Sequence, residues 1–174
     1  MAESYPEARI GVQSSTIGAL SEAQRIRQRR MAALALADEM TLEAEATKIF
    51  ASISYTFLRH PEAGLIMLEG RAGNSGQRFN LGEMLITRCV VRLEAQDSEA
   101  ITEGYAFIQG NRPRHAELAA VFDALLQLKD WAESLDRLLI EPLLAGREKQ
   151  LQRRADETVR TKVDFFTLVR GEDE

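Results

Sequence analysis

Three arginine-bearing segments carry the side chains best suited to chemistry in this sequence. The stretch Glu69–Phe79 (EGRAGNSGQRF) sets Arg71 and Arg78 among glycines. Glycine lets backbone amides approach an anion closely and guanidinium groups add charge, which is the chemistry of a phosphate cradle. The stretch is neither a G-x-G-x-x-G opening a helix nor a P-loop ending in GK[ST], so read alone it fits a hairpin turn better. Arg88 and Arg92 lie four residues apart in a run of β-formers, on one strand face and about 13 Å apart at ~3.3 Å per residue. They cannot grip one small carboxylate together. They suit separate phosphates of a polyphosphate or two acidic residues of a partner, with a solvated strand face as the plainer alternative. Asn111–Glu117 (NRPRHAE) places Arg114 and His115 where a strand gives way to a helix and free amides attract anions. His115 and Glu117, at i and i+2, do not face each other on a helix, so local hydrogen bonding is the expected role of the histidine.

Other chemistries fall away. His60, His115 and Cys89 have neither HxxxH nor CxxC spacing, so no metal site is expected. No G-x-S-x-G is present, and Cys89 alternates onto an apolar strand face, where a thiol is inert. A single cysteine makes no intramolecular disulfide and argues for no oxidising compartment. With 22 Lys+Arg against 27 Asp+Glu, the formal net charge of −5 removes the global positive field that draws nucleic acid. No apolar stretch approaches the ~18 residues of a membrane span, and the first residues lack a basic-then-apolar leader. A cytoplasmic protein is expected.

Periodicity then gives the elements that must position these residues. Residues 1–20 mix Ser, Gly, Pro and Thr without period and are expected to be a loose N-terminal extension, with 21–174 forming a single domain. Ser21 is the expected N-cap of a first helix, whose arginines (Arg25, Arg27, Arg29, Arg30) oppose the helix dipole and face either solvent or an acidic partner. A second helix is expected to open at Thr41, bury the stripe Leu42, Ala46, Ile49, Phe50, Ile53 and Phe57, and end near Arg59 ahead of Pro61. Leu65–Leu68, Glu83–Leu93 and Ile101–Ile108 read as strands, the last with a bulge or close backbone approach at Gly104. Along Glu83–Leu93, Leu85, Thr87, Cys89, Val91 and Leu93 share the core face, while Arg88 and Arg92 share the other. Short connections favour antiparallel pairing. Helical period returns at Arg114, with Leu118, Val121, Phe122, Leu125 and Leu126 inward, then Trp131, Leu135, Leu138 and Leu139 up to Pro142. Leu143–Arg160 is charged with a narrow seam at Leu151, Ala155 and Val159. Phe165, Phe166, Leu168 and Val169 are too apolar for a free terminus and are expected to dock on their own domain or on another chain. Helices, then strands, then helices predict an α+β fold: a small antiparallel sheet of three to four strands flanked by N-terminal and C-terminal helices.

Several segments taken together resemble a known family. Gly64–Met67 (GLIM), Gly70–Gly76 (GRAGNSG), Phe79–Met84 (FNLGEM), Thr87–Leu93 (TRCVVRL), Gly104-Tyr105, Gly110 followed by Arg114–Glu117 (RHAE), Asp123–Gln127 (DALLQ) and Val163–Gly171 (VDFFTLVRG) resemble, in order, the G subunit family of the bacterial carbon-phosphorus lyase core complex. The resemblance covers roughly residues 23–172. It implies a component of phosphonate breakdown that works with three other protein types and supports transfer of the ribose 5-triphosphate unit of ATP to methylphosphonate, releasing adenine. ATP is then a substrate of the complex, and this chain alone binds no cofactor. In that family a separate subunit cleaves the carbon-phosphorus bond with S-adenosylmethionine and an iron-sulfur cluster, which the lone Cys89 could not ligate.

On this footing, Arg71, Arg78, Arg88, Arg92, Arg114 and His115 are expected to bind an anion or a partner. Phe165, Phe166, Leu168 and Val169 are expected in a partner interface, and no catalytic residue is assigned. The implied partners are the other core subunits, with homodimeric contacts left open and neither nucleic acid nor membrane involved. Two further readings stand: a self-sufficient phosphate-binding or phosphotransfer enzyme using the arginine face, and a purely structural adaptor.

Overall fold

A computed structural model describes residues 20–71, 76–94 and 101–160. The N-terminal extension, the centre of the glycine-bearing turn and the apolar C-terminal tail with Phe165, Phe166, Leu168 and Val169 lie outside the described residues. The first helix, α1 (Glu22–Ala35), opens as its sequence dictates. Ser21 Oγ accepts from Gln24 N at 3.3 Å, and Gln24 Oε1 accepts from Ser21 N at 2.9 Å, so two backbone amides at the helix start are satisfied reciprocally. Two of its arginines meet aspartates of this same chain: Arg27 pairs with Asp123, and Arg30 grips Asp136 and the Leu126 carbonyl.

α2 (Glu39–Ile49) is capped three residues earlier than expected, by Asp38, whose carboxylate accepts from Thr41 N at 3.3 Å. Its apolar stripe is cut short. Leu42 and Ala46 are buried, but a 3₁₀ turn at Phe50–Ser52 ends the helical path, and Ile53 and Phe57 belong to extended chain. Tyr55, Thr56 and Phe57, β-branched and aromatic, favour extended chain, and β1 runs from Tyr55 to Arg71. Pro61 sits within a register irregularity between Arg59 and Glu62 of this edge strand, where its missing N–H breaks no ladder bond.

β1 pairs antiparallel with β2 (Arg78–Leu93), which pairs antiparallel with β3 (Thr102–Gln109), giving the three-stranded order β1-β2-β3. Thr87, Cys89, Val91 and Leu93 form the core face of β2 as their alternation predicts. Leu85 does not join them: β3 ends opposite Ile86, so Leu85 lies beyond the covered part of the sheet and stays exposed.

α3 (Pro113–Leu125) crosses the core face, with ten of its thirteen residues buried, and this makes it the middle layer of the molecule. It packs on all three strands on one side and on α1 and α2 on the other. Its alanines allow close approach, and Gly104 exploits this: a Cβ there would meet the Ala120 carbonyl oxygen at 1.9 Å and the Ala124 nitrogen at 2.7 Å. α4 (Lys129–Leu135) runs through a π-helical turn, Asp136–Ile140, into α5 (Glu141–Arg160), with Pro142 in the first turn of α5. The wide turn shifts the phase by one residue, so Leu139 and Ile140 are buried and Leu138, expected inward, is exposed. No helix among the described residues is long and apolar enough to cross a membrane.

Candidate functional site

Among the described residues, no helix covers the arginines on the sheet face opposite α3. Strand alternation and register place Arg88 between Glu62 on β1 and Phe107 on β3, Val90 between Arg59 and Tyr105, and Arg92 between Thr56 and Glu103. Two ion networks result. Arg88 Nε donates to Glu62 Oε1 at 2.6 Å, and Arg59 contacts the same oxygen. Arg92 Nη2 donates to Glu103 Oε1 at 2.8 Å, and the Tyr105 hydroxyl donates to Glu103 Oε2 at 2.7 Å. Hydrogen bonds from Arg59 and Arg88 hold the Glu62 carboxyl below the usual carboxylate range. Arg92, then Tyr105, do the same for Glu103. Three arginines against two glutamates leave this face cationic, and Arg88 and Arg92 each keep guanidinium N–H groups free of their glutamate.

Arg71 and Arg78 stand elsewhere, as direct cross-strand partners at the far end of the β1–β2 hairpin. Ten residues of β2 separate Arg78 from Arg88, roughly 33 Å at the usual strand rise. The two pairs therefore cannot close on one small ligand.

Arg114 is a third, separate locus. Its Nε and Nη2 donate to both oxygens of Glu43 at 3.0 and 2.8 Å, and its Nη1 lies 2.9 Å from Glu117 Oε2. Glu43 is thereby held below its ordinary range, and Arg114 above its own. The other Glu117 oxygen accepts from the Tyr55 hydroxyl at 2.6 Å, and burial followed by this carboxylate pushes the phenol up to about 12. The chain Glu43–Arg114–Glu117–Tyr55 ties α2, α3 and β1 together.

His115 differs from its expected local role. It is fully buried, and its Nε2 lies 2.8 Å from the Leu34 carbonyl of α1, with Nδ1 unpartnered. The first turn of α3 is enclosed beneath the C-terminal end of α1, so the nearest acceptor is 81 residues away in sequence. With Nε2 as donor, the ring bridges two helices and does not reach the solvent face that carries Arg88 and Arg92. Cys89 is buried as expected: burial, then Glu117, push its thiol up to about 12, and Sγ lies 3.6 Å from the Arg59 carbonyl.

The six expected site residues thus occupy an open sheet face, a hairpin end and a helix junction. Sequence reasoning missed Glu62 and Glu103 as partners of Arg88 and Arg92, and Asp123 as the anchor of Arg27. The alternation of Glu103 with Tyr105 was visible in the chain, whereas Glu62 opposite Arg88 follows only from register. No group of three His, Cys, Asp or Glu among the described residues is placed to hold a metal ion. A cavity of about 210 Å³ between α1 and β3 is lined by Met31, Leu34, Tyr105, Phe107, Ile108 and neighbouring alanines, with no charged group for a phosphate.

Fold and surface together define a small α+β protein with a one-sided antiparallel sheet whose open face is rich in arginine. The chain belongs to the PhnG family: the family model described as phosphonate metabolism protein PhnG matches residues 25–171. It is 38% identical over 151 residues to the alpha-D-ribose 1-methylphosphonate 5-triphosphate synthase subunit PhnG of Rhizobium meliloti (strain 1021), a match covering 87% of this chain and 92% of that relative.

Proposed function

We propose that this chain is a non-autonomous, cytoplasmic subunit of a carbon-phosphorus lyase core complex. In that role it supports transfer of the ribose 5-triphosphate unit of ATP to methylphosphonate with release of adenine. The observation that carries this is the 38% identity over nearly the whole length of a relative that is itself a synthase subunit. The dispersal of the arginines supports the non-autonomous part. Arg88 and Arg92 are already carboxylate-paired, and the Arg71–Arg78 pair lies about 33 Å along the strand from Arg88 and farther still from Arg92, so a self-sufficient phosphotransfer site built on all four is geometrically disfavoured. The open face contributes positive charge toward ATP phosphates or acidic groups of a neighbouring subunit, through the N–H groups its glutamates leave free.

Adenine release from ATP and methylphosphonate tests this. The expected outcome is no adenine from this chain alone, release from the full set of subunits, and loss when this chain is omitted. Turnover by the isolated chain would instead establish the self-sufficient enzyme. Full activity of an assembled complex carrying Arg88→Ala would favour a purely structural adaptor.

A further inference from the structure

β3 ends at Gln109, opposite Ile86, but β1 and β2 continue together for seven more residue pairs, from Leu65–Leu85 to Arg71–Arg78. This distal arm is apolar and exposed on both of its faces. Leu65 (61% exposed), Met67 and Leu85 extend the line of the core face, whereas Ile66 extends the line of the open face. Phe79 and Leu81 (61%) stand exposed toward its end. A two-stranded ribbon is marginally stable in water by itself, and a contiguous apolar surface of this kind marks a contact site.

We propose that this arm is the element through which the chain docks on another subunit of the synthase, one presenting an apolar cleft with acidic side chains at the end that receives the hairpin. The proposal rests on the subunit reading above and names its contact surface. Charge selects the occupant. Arg71 and Arg78 face each other across the ladder, a like-charge pairing that opposes strand association. Arg78 has only Glu69, at 3.6 Å, and Arg71 has no ion-pair partner among the described residues. Carboxylates from a partner would neutralise both arginines. A second copy fits poorly: two arms laid antiparallel would bring the arginine end of each to the base of the other's arm, about 10 Å short of Arg88, which already shares the single carboxylate of Glu62 with Arg59.

Binding of the full-length chain to the remaining subunits, measured by affinity and co-purification, tests the arm. Arg71→Glu with Arg78→Glu alters only exposed side chains, so the variant should keep the wild-type circular dichroism and thermal unfolding. It should bind the other subunits at least about 30-fold more weakly. Leu65→Asp with Leu81→Asp should do the same. Wild-type affinity in both variants overturns the proposal while leaving the subunit reading intact. Loss of a homodimer with unchanged binding to the other subunits overturns it in favour of a second copy. Failure of the wild-type chain itself to associate with those subunits removes the subunit reading, and this proposal with it.

Discussion

Asp123 shows how one side chain can govern several elements. Its carboxylate is 2% exposed and accepts from Arg27 Nε at 3.2 Å, Arg27 Nη2 at 2.7 Å and the Tyr105 amide at 3.0 Å, joining α3 to α1 and β3. The Arg27 guanidinium also lies 5.6 Å from the Tyr105 ring centroid, and hydrogen bonding to Asp123 raises its pKa. Asp123→Asn would turn one acceptor into an amide facing donors and leave Arg27 without its counter-charge. A loss of about 3 kcal/mol is expected in urea unfolding, with the slope unchanged. An unshifted midpoint would show that the network is dispensable. None of this was legible from residue types: Asp123 sits in an apolar helical run, and its partners lie 18 and 96 residues away. The arginines of α1 were legible only as misplaced for their own helix. For Arg27 and Arg30 that misplacement is explained by acids on other elements, so the question the sequence raised was sound although its answer lay in tertiary structure.

Among elements, the contact of β3 with α3 is the least forgiving. Gly104→Ala would drive a methyl group into the backbone of Ala120 and Ala124, which cannot move aside as a side chain could. The expected cost is about 3 kcal/mol or more, seen as a lowered thermal midpoint, while Gly64→Ala, with nothing within 4 Å of the added carbon, should cost far less. Equal effects would mean that α3 shifts freely. This close approach was readable in advance because a glycine inside a strand pattern needs a reason. The end of α2 was not. Ile49, Ile53 and Phe57 are spaced by four, which satisfies a helical stripe and, being even, also keeps one face of a strand; periodicity could not separate the two. Leu138 was misread for a related reason, since a π-helical turn adds a residue that no 3.6-residue period anticipates.

At the scale of the whole molecule, ion pairs at the surface join neighbouring elements: Glu43–Arg114 between α2 and α3, Glu62–Arg88 between β1 and β2, and Glu103–Arg92 between β2 and β3. All three carboxyls are held below their ordinary value of 4.5 in the folded chain. Their stabilisation is therefore complete above that value and is lost as pH falls through the lowered folded values, where the folded state must take up protons. Thermal unfolding should show a midpoint that drops below about pH 4.5, and the Glu43→Gln, Glu62→Gln, Glu103→Gln triple variant should lose part of that slope. Parallel pH profiles for variant and wild type would discard the idea.

The α+β architecture could be read from the order of helical and strand periods along the chain, and the separation of core-facing from arginine-bearing positions on β2 from alternation, because both periods are local properties. The dispersal of the arginines could not, because it depends on how far one hairpin outruns the third strand. That overhang also sets a rule for change of length. Adding or deleting one residue pair would roll every side chain of the arm to its opposite side. Adding or deleting two restores the sides and moves the tip by about 7 Å. The arm is thus a graduated spacer: its reach can be altered only in whole steps of that size if its leucines and arginines are to keep their bearings.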